Sequence, residues 1–172
     1  MRASMKTLYL LRHAKSSWDN PSLTDFERPL NERGSKAAPF MGGLMRDLGF
    51  LPYIILSSPA VRAKTTAQMV KAAGPLDAEI RYERRIYEAS PQRLREVVAE
   101  IDNAHPSLLI VGHNPGIEGF IRYLTGDLES IPTAALGVIS LDIDNWYAIG
   151  EGRGDLQKVY RPKDEMKYLR ES

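Results

Sequence analysis

Short apolar runs alternate along the chain with longer amphipathic stretches, and this alternation predicts an α/β fold. Buried strands are predicted at residues 7–11, 53–56 and 108–111, since each run is apolar and is bounded by polar or turn-forming residues. Weaker strand patterns cover residues 79–82, 138–143 and, as an edge strand, 156–160.

Helices are predicted between these strands from amphipathic spacing and from capping residues. They run from Asn31 or Ser35 to Leu48, from Ala60 to Ala73, from Ser90-Pro91 to Asp102 and from Pro115 to Leu124, with a charged helix after Pro162. Residues 14–29 form a polar loop. The sequence has no repeat and no break in composition, so residues 1–172 are predicted to form a single domain.

Composition excludes several classes of function. The formal net charge is +1, so neither nucleic acid nor a membrane surface is an expected partner. There is no cysteine, which excludes disulfides, thiolate metal sites and cysteine-dependent phosphatase chemistry. Residues 1–6 have no apolar core and the following apolar run is too short for a signal peptide, so a cytoplasmic location is expected.

Histidines and arginines follow three of the predicted strands. Arg12 and His13 come directly after the first run, Arg62 lies shortly after the second, and His113 follows the run that ends at Val111. Ligands of open parallel sheets bind at the carboxyl ends of the strands. The sequence therefore predicts that these four side chains meet in one cationic pocket.

The residue types in this pocket suit a phosphoryl group. A neutral imidazole is a good nucleophile near pH 7, and arginine binds phosphate oxygens through two parallel hydrogen bonds. Arg62 lies in the first turn of a predicted helix, where free N–H groups also favour an anion. His113 stands in a Gly-His-Asn-Pro-Gly segment whose glycines permit a close approach by a ligand.

Other readings of these residues are weaker. A metal site is the main rival for paired histidines, with Asp19, Asp25 and Glu27 nearby, but the adjacent arginines would repel a dication. Serine hydrolase and P-loop motifs are absent from the sequence. Ser57 and Ser58 are interpreted as turn formers or phosphate donors, and His105 as structural or exposed. Two positions are considered for Trp18, Trp146 and Tyr147, a partner surface or the core, and the core is favoured.

Three motifs resemble the histidine phosphatase superfamily, the phosphoglycerate mutase-like branch 1. They are Leu11-Arg12-His13-Ala14, then Ser57-Ser58-Pro59-Ala60-Val61-Arg62-Ala63 with Thr65-Thr66-Ala67, and Val111-Gly112-His113-Asn114-Pro115-Gly116. The chain is especially similar to the small SixA-type phosphohistidine phosphatases. That similarity lies in the segment from Ala14 to Trp18, the segment from Asp25 to Gly34, and Thr133-Ala134-Ala135.

The resemblance implies a three-layer α/β/α sandwich on a mainly parallel sheet, without a metal or organic cofactor. It implies that His13 is transiently phosphorylated while Arg12, Arg62 and His113 hold the phosphoryl oxygens. Ser16 and Lys15 are expected to contribute to substrate binding, and Glu88 is the candidate general acid. One departure from the family pattern is Ala14, where glycine is usual.

The implied reaction is hydrolysis of phosphohistidine on a protein, because an imidazole leaves phosphorus more easily than an alkoxide and the short chain favours an open site. A small phosphoester is an alternative substrate, which would make the protein a general phosphomonoesterase. A non-catalytic phosphoprotein-docking module is a third possibility. Mutase activity is less favoured, since retaining a phosphate needs a closed pocket.

Overall fold

The structure, a computed structural model, describes residues 5–171, and the side chains within residues 5–167. The strands are β1 (Met5–Arg12), β2 (Ile54–Ser57), β3 (Glu79–Tyr82), β4 (Ser107–Gly112), β5 (Leu136–Asp142) and β6 (Gly154–Tyr160). The helices are α1 (Glu32–Asp47), α2 (Val61–Ala73), α3 (Pro91–Ala99), α4 (Gly116–Thr125) and α5 (Pro162–Glu171). No helix within residues 5–171 is long and apolar enough to cross a bilayer.

The strands form one sheet in the order β3-β2-β4-β1-β5-β6. The first four in this order are parallel, and β5 and β6 continue the sheet in antiparallel fashion. The predicted mainly parallel sheet is thus confirmed, and β6 is an edge strand as expected. Because β1, β2 and β4 are neighbours, their carboxyl ends lie side by side.

Helices cover both faces of the sheet, because successive residues of each central strand point to opposite sides. Leu8 and Leu10 of β1 pack on the face covered by α3 and α4. Tyr9 and Leu11 pack on the opposite face, against α1 and α2. This is the three-layer sandwich that the sequence implies.

Several elements begin or end a few residues away from the sequence prediction, and α3 ends at Ala99 rather than at Asp102. β5 begins at Leu136 rather than at residue 138, and β6 begins at Gly154 rather than at residue 156. Residues 136–139 are buried on both faces of the sheet, so the strand start shows no apolar–polar alternation. The start of α1 agrees with the prediction, since the Asn31 side chain accepts a hydrogen bond from the Gly34 N–H.

The prediction that three aromatic side chains lie in the core is right for one of them. Trp146 is fully buried, and its Nε1 donates to the His105 carbonyl at 2.8 Å. Trp18 is 73% exposed and Tyr147 is 75% exposed, so both predictions were wrong. Trp18 stacks on the guanidinium of Arg28 instead, which stabilises an aromatic side chain without burying it.

Candidate active site

Three strand ends bring the predicted residues together. Arg12 ends β1, and the His13 N–H donates to the Gly112 carbonyl at the end of β4, at 2.9 Å. The imidazole rings of His13 and His113 lie 5.1 Å apart between centroids. Arg62 is the second residue of α2, the helix that follows β2. All four side chains therefore share one pocket at the carboxyl edge of the sheet.

The imidazole of His13 is held in one tautomer. The ring is buried, and its Nδ1 lies 2.8 Å from the Ala14 carbonyl oxygen. A carbonyl oxygen only accepts hydrogen bonds, so Nδ1 carries the proton and Nε2 keeps its lone pair. Burial, and secondarily the positive charges of Arg62 and Arg12, lowers the pKa of His13 from 6.5 to about 4. His13 is therefore neutral at pH 7, the state in which an imidazole can act as a nucleophile.

His113 is also neutral near pH 7. Burial, followed by the neighbouring His13 and Arg62, lowers its pKa to about 3. Its Nε2 lies 2.8 Å from the hydroxyl oxygen of Ser58. Ser58 Oγ also accepts a hydrogen bond from the Ala60 N–H at 3.2 Å, so this buried serine links the imidazole to the start of α2. Of the two interpretations of Ser58, the contact with Ala60 fits a turn former, and the contact with His113 is a further one that the sequence did not indicate.

Both arginines are anchored through their terminal nitrogens. Arg12 Nη1 donates to the Ile131 carbonyl at 3.1 Å. Arg62 donates from Nη1 to the Asp25 carbonyl at 2.6 Å and from Nη2 to Asp25 Oδ2 at 3.0 Å. These contacts fix both guanidinium planes against the pocket.

Three buried nitrogens of this cluster have no hydrogen-bond partner within residues 5–167: Arg12 Nε, Arg62 Nε and His113 Nδ1. Buried polar groups of folded proteins are normally paired, so such a group needs a physical reason. A tetrahedral oxyanion between the two arginines and His113 would supply acceptors for such donors. The donor set is thus suited to a phosphoryl group.

Asp25 is a residue of this cluster that the sequence reasoning considered only as a candidate metal ligand. Its carboxylate contacts Arg62, accepts from Arg28 Nη1 at 3.0 Å, and accepts from the Tyr87 hydroxyl at 2.6 Å. Hydrogen bonds from Tyr87 and Arg62 lower the pKa of Asp25 to about 2, so it is ionised and orients Arg62. The available signal was the Asp-x-x-Arg spacing, which places Asp25 and Arg28 on one side of a short 3-10 turn.

Tyr87 was likewise missed, although it precedes the proposed acid Glu88. Its ring meets that of His113 edge-on, with centroids 5.4 Å apart. Burial and the Asp25 carboxylate raise the pKa of Tyr87 to about 12, so its hydroxyl remains a donor. Gly116 lets the backbone of Ala89, two residues after Tyr87, approach the start of α4, because a Cβ there would lie 2.4 Å from the carbonyl oxygen of Ala89.

The remaining predicted residues lie around the cluster. Glu88 is exposed, adopts φ 56°, and has no hydrogen bond or ion pair with another side chain within residues 5–167. Ser16 is buried, and its hydroxyl contacts Arg28 Nη2. Lys15 is exposed and points into a neighbouring groove. Their roles stay predictions.

The charges around Asp25 disfavour the alternative metal site. Asp25, one of its three candidate carboxylates, is already hydrogen bonded to two arginines. Within residues 5–167, no three His, Asp or Glu side chains come together in a way that could hold an ion.

Comparisons with known proteins agree with this geometry. The model of the histidine phosphatase superfamily (branch 1) matches residues 8–91. The proposed phosphohistidine phosphatase SixA from Agrobacterium tumefaciens is 30% identical and superposes with a TM-score of 0.78, covering 91% of this chain and 98% of that one. The chain belongs to the histidine phosphatase superfamily.

Two further matches extend across most of the molecule. A protein histidine phosphatase SixA solved with tungstate has the same fold, with a TM-score of 0.81 at 19% identity over 92% of this chain and 99% of that one. An uncharacterized chloroplastic protein of Arabidopsis thaliana is 29% identical over 94% of this chain and 80% of its own length. Family membership and the SixA-like fold make this chain a phosphatase of the superfamily.

Proposed function

We propose that the protein hydrolyses phosphohistidine on a protein by transfer through His13. His13 Nε2 attacks phosphorus, the P–N bond of the substrate breaks, and its electron pair returns to the leaving imidazole, which takes up a proton from solvent water. Water then attacks the phosphorus on His13, releasing inorganic phosphate and the neutral imidazole. Arg12, Arg62 and His113 stabilise the charge on the transferring oxygens in both steps.

The observation that carries this proposal is the state of His13. An imidazole with Nδ1–H bound to a carbonyl, an unprotonated Nε2 and a pKa near 4 is a ready nucleophile at neutral pH. A histidine serving only as a cation for phosphate would need its proton. The free lone pair on Nε2 therefore favours covalent transfer over simple phosphate binding, because a lone pair can attack phosphorus but cannot donate a hydrogen bond to a phosphate oxygen.

The choice of a P–N substrate follows from the leaving group. An imidazole has a pKa near 6.5 and leaves with little assistance, whereas an alkoxide needs a proton from an acid in the transition state. The candidate acid, Glu88, is exposed and lacks a partner that would hold it against the substrate. The name of the 30% identical relative, a proposed phosphohistidine phosphatase, points to the same substrate class.

A phosphomonoester is the second candidate substrate, and one contact favours it. Tyr87, the residue before Glu88, lies against His113, so the Glu88 backbone is held close to the phosphoryl site. Substrate binding could bring the carboxyl to a leaving oxygen. In that case Glu88→Gln should lower turnover of an aryl ester with a poor leaving group by at least about tenfold and leave P–N hydrolysis nearly unchanged.

The test is stoichiometric trapping with a ³²P-labelled phosphohistidine peptide and, in parallel, an aryl phosphate. Wild type should acquire one acid-labile label per chain and turn over the peptide faster than the ester. His13→Ala should acquire none, and His105→Ala, a histidine outside the pocket, serves as the matched control.

Trapping and turnover with the ester alone would replace this proposal with a small-molecule phosphatase. Phosphate binding without label or turnover from either compound would instead identify a docking module. Label retained in His13→Ala would exclude His13 as the nucleophile.

A further inference from the structure

A strongly basic groove lies beside the pocket, with a volume of about 530 Å³. It is bounded by α1, the loop that precedes β5 and the start of α5. Its single acidic lining residue among those described is Asp164. Its basic lining residues are Lys15, Arg33, Lys36, Arg161, Lys163 and Lys167.

This concentration of charge is not a property of the whole chain. The groove holds six of the 23 lysines and arginines but one of the 22 acidic residues, in a chain of net charge +1. Lys36 is paired with Glu32 at 3.4 Å and Arg161 with Glu129 at 3.1 Å. The other four basic side chains have no ion-pair partner within residues 5–167. Positive charge is therefore available to a ligand here.

Two segments that line the groove are joined directly to residues of the phosphoryl pocket. Lys15 follows His13 by two residues. On the opposite wall, Thr133 precedes Ala134, whose N–H donates to the Arg12 carbonyl at 3.0 Å. The Ile131 carbonyl, at the start of the same loop, accepts from the Arg12 side chain. A macromolecule presenting a phosphoryl group to His13 would lie across this groove.

We infer that the groove binds an acidic segment of the protein substrate next to its phosphorylated residue. This inference rests on the proposed function and names the kind of phosphoprotein that the site selects. Lysines and arginines facing a carboxylate-rich surface raise the rate of encounter and fix the orientation of the complex. The apolar stems and the wall residues Ala37, Pro132 and Met166 add contact area for a polypeptide.

Other anionic ligands fit this groove less well. A small anion requires buried and convergent donors, whereas Lys15, Arg33, Lys36, Lys163 and Lys167 are all exposed. Single-stranded nucleic acid binds through aromatic stacking, and no aromatic side chain lines the described part of the groove.

The experiment compares two double charge reversals of equal net charge. Arg33→Glu/Lys163→Glu changes the groove. Arg122→Glu/Lys158→Glu changes two exposed cations of α4 and β6 that do not line it. Hydrolysis is measured on a phosphohistidine peptide flanked by aspartate and glutamate and on one flanked by glutamine. Binding of the unphosphorylated acidic peptide is measured by fluorescence anisotropy, together with a single-stranded RNA oligomer and phosphatidylserine vesicles.

The groove variant should lose about tenfold in kcat/KM on the acidic peptide at low salt, and its salt dependence should flatten. It should stay within about twofold of the control pair on the glutamine-flanked peptide. Equal kcat/KM for the two variants on the acidic peptide would overturn the inference.

Peptide binding separates this inference from the proposed function. If wild type hydrolyses neither peptide, the proposed function is wrong. The inference about the groove is still supported in that case if wild type binds the acidic peptide and the groove variant does not. Groove-dependent binding of the RNA or the vesicles in place of the peptide would overturn the assignment to an acidic protein.

Discussion

Among single residues, His13 is the one whose proposed role depends on the position of one proton. The Ala14 carbonyl fixes that proton on Nδ1, and burial among arginines keeps a second proton away from Nε2. The sequence could place the histidine at a strand end and supply an ordinary pKa near 6.5. It could not supply the shift, since that depends on solvent exclusion by distant parts of the chain.

The first prediction concerns the titration of His13. We expect the ¹⁵N resonances of its ring to report the neutral Nδ1–H tautomer down to about pH 5, because its pKa is about 4. The nucleophile therefore remains active at pH 5, where an ordinary histidine would be mostly protonated. NMR titration of the free enzyme checks this, with His13→Ala assigning the signals. A midpoint near 6.5 would contradict it.

The second prediction uses two adjacent buried serines. Ser58 Oγ contacts His113 Nε2, whereas the Ser57 hydroxyl donates to the Ser58 carbonyl and has no hydrogen bond to either histidine ring within residues 5–167. Ser58→Ala should lower kcat/KM by about tenfold, because His113 loses the partner that orients its ring. Ser57→Ala, the matched control, should change it by less than about threefold. Equal losses in both variants would assign the effect to folding alone.

At the level of elements, the loop between β1 and α1 shows where sequence reasoning fell short. Residues 14–29 were predicted to be a polar loop, and the motif reading assigned site roles only to its first residues. The loop folds back so that Asp25 reaches Arg62, a residue 37 positions later. Gly34 supports this path, since a Cβ there would lie 2.1 Å from the Lys15 carbonyl oxygen. The local pattern of polar residues cannot predict that a loop folds back onto a distant helix.

Strand ends were predicted better, for a physical reason. The apolar runs before His13 and His113 are buried on both faces of the sheet, so each is recognisable without its neighbours. Parallel pairing then places their carboxyl ends at one edge whatever the loops do. The positions of Arg12, His13, Arg62 and His113 follow from this rule.

The third prediction concerns the contact between α2 and the loop after β1. Thr66 Oγ1 accepts from the Ala14 N–H at 2.9 Å and donates to the Arg62 carbonyl at 2.7 Å. Thr66→Val keeps the shape but leaves the Ala14 N–H without a partner, so the free energy of unfolding should fall by about 1–3 kcal/mol. Because Ala14 also positions His13, kcat should fall as well.

Thr65→Val is the control for this prediction, as it changes the neighbouring side chain on the same helix. Chemical denaturation and steady-state kinetics of both variants provide the comparison. If Thr65→Val proves as damaging as Thr66→Val, the loss comes from the helix and not from its contact with Ala14.

For the whole molecule, the pocket makes stability depend on pH. His13 and His113 must be neutral when folded, with pKa values of about 4 and 3, whereas in the unfolded chain both titrate near 6.5. Between these values the unfolded state binds more protons than the folded state, so protonation favours unfolding. The stability that depends on the two neutral histidines is therefore fully present above about pH 6.5 and declines as the pH falls below that value.

The last prediction follows from this linkage. The free energy of unfolding should fall as the pH drops from about 6.5 to about 4.5, with a slope of up to about 1.4 kcal/mol per pH unit for each histidine. His113→Asn should remove one histidine's share of this slope. Asp25 affects stability in a lower pH range. Its pKa is about 2 in the folded protein and 3.8 ordinarily, so its contribution to the free energy of unfolding is lost only as the pH falls below about 3.8.

Denaturation curves at half-unit pH intervals would separate the two windows. An unchanged slope in His113→Asn would mean that this ring is not held neutral by the fold. Its Nε2 would then be unable to accept a hydrogen bond from the Ser58 hydroxyl, because a charged ring donates from both of its nitrogens.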